Sequence, residues 1–195
     1  MIVVAAPVSG RRRWKTRWAT LCMLSAGLGA CSSGSAGSSC SSRLPALLDM
    51  LPSDGEIGTW ASLDGADLLT TQAELYNWIG GTAAPQYIDR GWVSAVHAAY
   101  MQYVGGYIQV AIHDMGNGEN AQNIYNYLMP TTSQTINGLP NAVVDLGLSK
   151  AYAAYAYTDH FFIVLSIDQE SDAALTAIEL FMNDIINRAA KTSEA

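Results

Sequence analysis

Four strand-like runs, set side by side in two pairs, restrict this chain's fold more than any other feature. "WVSAVHAAYMQYV" (92–104) and "YIQVAIHDM" (107–115) are joined at Gly105-Gly106. "KAYAAYAYT" (150–158) and "HFFIVLSID" (160–168) meet around Thr158-Asp159. Apolar and aromatic runs of this length, broken by turn residues, read as β-hairpins. Hairpins make antiparallel sheets, and a sheet with an apolar face needs helices to cover it.

Several helices are legible. "TTQAELYNWI" (70–79) has Thr70 or Thr71 to cap it, and Leu75, Trp78 and Ile79 share a face. Gly80-Gly81 interrupts it, which predicts a sharp corner with positive φ at one of the two. Pro85 opens a second short helix, "PQYIDR", ended by Gly91. A third runs from about Gly118 to Met129 and stops at Pro130. The last, about Ser171 to Ala190, carries Ala174, Ile178, Phe181, Ile185 and Ile186 on one stripe. Residues 43–60 begin with a short helical turn broken at Pro52, and 130–149 read as a loop marked by Asn137-Gly138 and Pro140. The expected fold is α+β: an antiparallel sheet of two strand-strand-helix units, with the helices packed on one face.

The first thirty residues have a different character. They hold five of the ten basic residues and no acid, followed by the apolar run "WATLCMLSAGLGA". As a helix those residues rise about 20 Å, short of the roughly 30 Å of a bilayer core. This is a secretory signal's pattern rather than a span's. It ends in "LGAC", which resembles the lipobox of bacterial lipoproteins, with Cys31 as the acylated (palmitate-bearing) first residue of the mature chain. By that resemblance Ser32 favours the outer membrane where one exists. Residues 31–43, "CSSGSAGSSCSSR", form a flexible tether reaching roughly 20 Å. Residues 44–190 are then one domain, and 191–195 a disordered tail. Cys22 departs with the signal and Cys40 sits in the tether, so the domain has no disulfide framework.

Without its signal the chain keeps five basic against 17 acidic residues, a net charge of −12. Nucleic acid and anionic lipid repel such a domain. The expected contacts are the membrane, through the N-terminal lipid, and an unknown envelope protein or small ligand. No nucleic acid and no cofactor are expected.

"IHDMGNGENAQNIYNYL" (112–128) is the stretch that most resembles a chemical site. Counted from Asp114, a calcium loop would need oxygen ligands where Gly116 and Gly118 stand and a Glu where Tyr125 stands. His113 and Asp114 are strand neighbours that point to opposite faces, and the same objection applies to Asp159 and His160. No G-x-S-x-G elbow occurs, and His97, His113 and His160 show no short metal-ligand spacing. The stretch is better explained as a helix start. Asp114 ends the strand, Gly116 allows positive φ, and Asn117 caps the helix. Asn120 is placed to return a hydrogen bond, and Ala121, Ile124, Tyr125 and Leu128 face inward.

"LYNWIGGTAAPQYIDRGW" with "VAIHDMGNGENAQNIY" resembles a bacterial domain-of-unknown-function family of secreted or lipid-anchored proteins. The matching residues are Tyr76, Ile79, Gly80, Gly81, Ala83, Tyr87, Gly91, Trp92, Asp114, Met115, Gly116, Ala121 and Tyr125. The family usually carries Asn before its glycines, and position 80 departs from that. The resemblance implies a structural motif at Gly80, Gly81, Asp114, Met115 and Gly116, and no activity.

The expected function is therefore a lipid-anchored envelope protein, more a non-enzymatic accessory or binding module than an enzyme. Ten tyrosines and five tryptophans suit packing or a sugar- or peptide-binding groove. Tyr155 and Tyr157 share strand parity and Tyr152 does not. The alternative is a hydrolytic or metal-dependent enzyme whose site assembles from His97, His113, Asp114 and His160.

Overall fold

A computed structural model describes residues 46–103 and 105–193. The signal, Cys31 and the tether lie outside the described residues. After a helical turn at 46–49 come β1 (Trp60–Leu69), α1 (Gln72–Ile79), α2 (Ala84–Ile88), β2 (Ser94–Gln102), β3 (Tyr107–Asp114) and α3 (Gly118–Leu128). Then follow β4 (Ser133–Thr135), β5 (Ala142–Asp145), β6 (Tyr152–Thr158), β7 (Phe161–Ile167) and α4 (Asp172–Ser193). All neighbouring strands pair antiparallel, in the order β1-β2-β3-β7-β6-β5-β4. The class is α+β, as expected.

Three strands were not legible. β1, "WASLDGADLL", contains the turn pair Asp64-Gly65, and its register shifts between Ser62 and Ala66. A bulge there lets an edge strand carry residues that look like a loop. β4 and β5 have three and four residues, too few to show a period. The last helix also runs on to Ser193, into the segment expected to be a tail.

The helices do not share one face, which corrects the expectation. Along β7, Phe161, Ile163, Leu165 and Ile167 join a core with Ala174, Ile178, Phe181, Met182 and Ile185 of α4. Phe162, between them, joins a second core with Ala121, Ile124 and Tyr125 of α3 and with Leu75, Ala84 and Tyr87 of α1 and α2. Alternate side chains point to opposite sides of a strand, so α4 covers one face and the other helices cover the other. The central strands β3 and β7 are antiparallel, and a twofold relating them would run normal to the sheet and keep both following helices on one side. Because α3 and α4 lie on opposite sides, the strand-strand-helix order does not make two copies of one unit.

α4 seals its face because its apolar stripe is continuous over 22 residues. Val96, Ile108, Val110, Ile112, Ile163 and Leu165 beneath it are completely buried. Arg188, braced by Asp184 one turn earlier in the same helix at 2.6 Å, ties α4 to Glu56 at 2.7 Å.

Candidate site on the open face of the sheet

The second face is built differently. Odd-numbered residues of β2 and β3 point to it, which brings His97 of β2 and His113 of β3 to the same side. His97 stands opposite Ala111 and His113 opposite Ala95, so the two imidazoles are diagonal neighbours. Trp78 from α1 lies over both, 4.7 Å from His97 and 6.0 Å from His113 between ring centroids. Tyr87 from α2 packs on His113 at 4.7 Å, and Phe162 of β7 is 6.1 Å from it.

His113 is 1% exposed, and Trp92 donates its indole N–H to Nδ1 at 3.2 Å. An imidazole that accepts at Nδ1 carries its proton on Nε2 and is neutral. Burial, with His97 nearby, pushes its pKa down to about 3. Burial lowers His97 too, against the opposing pull of Asp67, which stands directly across on β1. Nε2 of His97 is buried without a hydrogen-bond partner.

Beyond this cluster the face opens. Ala99, Gln109, Ser166 and Ala153 form one row across β2, β3, β7 and β6. The first three are half-buried. Gln109 donates to the Tyr107 hydroxyl at 3.0 Å. Met101, paired with Tyr107, is 45% exposed. Tyr155 and Tyr157 point to this face and Tyr152 to the other, as strand parity requires.

The stretch 112–128 is the helix start its sequence suggests. Asp114 Oδ1 accepts from the Gly116 N–H at 2.7 Å, Gly116 has φ +79°, and Asn117 accepts from the Asn120 N–H at 2.9 Å. One detail differs from expectation. The Asn120 side chain donates to the Met115 carbonyl at 2.8 Å instead of returning to the cap. It also fills the space beside Gly91, where an added Cβ would clash with its amide. Gly91 (φ +83°) must be glycine on both counts. The two halves of the resemblance therefore meet: Tyr87 and Trp92 contact His113, while Gly91 contacts the residue that holds Met115.

The corner between α1 and α2 has its positive φ at Gly80 (φ +85°, ψ +149°), and Thr71 with Glu74 forms the capping box of α1. The four residues of the distant-site alternative do not assemble. His97 and His113 converge, but Asp114 points to the opposite face and is turned onto Gly116. Among the described residues no group of three His, Cys, Asp or Glu could hold a metal ion. His160 instead pairs with Asp159, Nδ1 to Oδ2 at 2.7 Å. That corrects the strand-neighbour objection: Asp159 is in a turn with φ +47°, which swings its carboxylate back to the ring. Such a pair orients an imidazole as a base, but its ring partner is Phe161 at 3.9 Å, which supplies no nucleophile.

Sequence reasoning missed Trp78, Tyr87, Trp92 and Gln109 as members of one surface. No family model and no curated protein matches the chain. Among solved structures it is similar to the extracellular domain of PknH from Mycobacterium tuberculosis, at 10% identity and a TM-score of 0.46, over 77% of this chain and 96% of that one. So distant a likeness carries no argument about fold or function.

Proposed function

We propose that this protein is a non-catalytic binding module of the cell envelope, anchored through an acylated Cys31, that holds its ligand on the open sheet face. The reading rests on one contrast. α4 seals the first face, whereas the row Ala99–Gln109–Ser166 on the second is left half-buried beside Met101 and Tyr107. Small side chains let a ligand approach the strands, and Gln109 and Ser166 offer donors and acceptors to fix its orientation. Tyrosine and methionine at the margin give adaptable apolar contact. A sugar or an extended peptide suits such a surface. Membership of the domain-of-unknown-function family belongs to the same proposal.

The binding claim is tested by titrating the isotope-labelled protein with peptidoglycan fragments and envelope peptides. Amide shifts clustered at 97–101, 107–111 and 164–166 are expected. Shifts on α4, or none with any of these ligands, would reject it. The anchor is tested separately: Cys31→Ser should abolish lipid labelling and release the protein from membranes, and a variant that survives carbonate washing there contradicts it.

A further inference from the structure

The helix pair over His97 and His113 is held differently from the rest of the molecule. α1 has one fully buried side chain, Leu75, with Trp78 and Ile79 half-buried, and its other residues exposed. Gly80 breaks the pair in the middle with a backbone only glycine adopts readily, and Gly91 ends it with another positive φ. Besides the aliphatic Leu75 and Ala84, α1 and α2 set two aromatic rings against the histidines: Trp78 over both imidazoles and Tyr87 over His113.

Those contacts require both rings to be neutral. The Trp92 N–H occupies Nδ1 of His113, so a second proton there would oppose two N–H donors. Nε2 of His97 is buried with no partner, so imidazolium formation would leave at least one buried N–H unanswered or force the ring to turn. The charged and titratable neighbours are few. Asp67 faces His97 from β1 and favours its charge, but it is exposed. His113 faces it from β3, and each would repel the other once charged. Tyr87 from α2 is buried and held neutral. Trp78 and Phe162 carry no charge. The attraction of an aromatic face for a cation is smaller than the cost of desolvating one.

We propose that α1 and α2 are an acid-operated flap: protonation of His97, followed by His113, expels Trp78 and Tyr87 from the sheet and bares the face around Ala95 and Ala111. His97 is the trigger, being partly exposed and having Asp67 opposite. His113 follows once its cover lifts. The flap is independent of what the open strip binds, because the contacts that hold it lie within the chain.

Hydrogen exchange of the full chain between about pH 7.5 and 4.5, corrected for intrinsic rates, reads this directly. Protection of 72–88 should fall about tenfold per pH unit below the midpoint for each proton taken up, while 174–189 of α4 stays protected. A His97→Gln, His113→Gln double variant should lose that dependence. Asp67→Asn, on the exposed strand, should move the midpoint to lower pH, and it decides the matter if the double variant fails to fold. Equal loss in α4, no loss in 72–88, retained dependence in the double variant, or an unmoved midpoint in Asp67→Asn would each overturn the flap.

Discussion

The two faces of one sheet show what each is for. Beneath α4, Val96, Ile108, Val110, Ile112, Ile163 and Leu165 are aliphatic and dry. On the other side, the residues between them in sequence are His97, Gln109, Ala111, His113, Val164 and Ser166. Face one joins a single long helix to a continuous apolar surface, and the titratable groups it holds, Tyr100, Tyr152 and Asp114, are all buried. Face two is patched by three shorter helices, carries neutral imidazoles under aromatic rings, and leaves a strip open. Close packing of aliphatic side chains gives stability without chemistry. Polar groups held half-covered cost stability and are the usual mark of a site.

The largest expected effects come from breaking the sealed face. Phe181 is completely buried and lies edge-on to Trp60 and Tyr100, at 5.7 and 5.0 Å. Phe181→Ala should cost about 3–5 kcal/mol in chemical denaturation. The same truncation at the margin of the other face, Met101→Ala, should cost less than about 1 kcal/mol.

Acid should separate the faces next. Between the ordinary histidine value of 6.5 and about 3, the unfolded chain takes up a proton that folded His113 refuses. Stability from this group is thus complete above pH 6.5 and falls as pH drops, by up to about 1.4 kcal/mol per unit. His97, also lowered, adds in the same direction. Unfolding at pH 7 and pH 5 in wild type and His113→Gln measures it, and a wild-type slope no steeper than the variant's would contradict the assignment.

Smaller effects sharpen the hinge. Gly80 needs its positive φ, whereas Gly81 has no such need and open space around it. Gly80→Ala should cost about 1–3 kcal/mol and Gly81→Ala under about 0.5 in thermal unfolding. The smallest stability effect is expected on the open strip. Gln109→Ala should change stability by no more than about 0.5 kcal/mol yet weaken ligand binding at least severalfold.

These comparisons also show what the sequence revealed. Both hairpins, α1 with its Thr71 cap, the Gly80 corner and the Asn117 helix start follow from local rules, and all are present. What local rules miss is register. The strands stop at Gln102 and resume at Tyr107, with Met101 opposite Tyr107. A tight turn of only Gly105-Gly106 would have set His97 opposite Asp114 and put His113 on the other face, since an odd register change reverses every side chain. The meeting of the two histidines therefore depended on a loop length that composition does not fix. The placement of α4 on the opposite side was hidden for a related reason: nearly every residue of β7 is apolar, so its two faces look alike in sequence.

The contrast between faces is tested most directly on Ala98 and Ala99, neighbours on β2 that point to opposite sides. Ala98 is 2% exposed under the sealed face, and Ala99 is half-buried on the open one. A soluble paramagnetic chelate should broaden the Ala99 methyl resonance strongly and leave Ala98 sharp at neutral pH. Equal broadening of the two, or none at Ala99, would contradict the account of a sheet sealed on one side and open on the other.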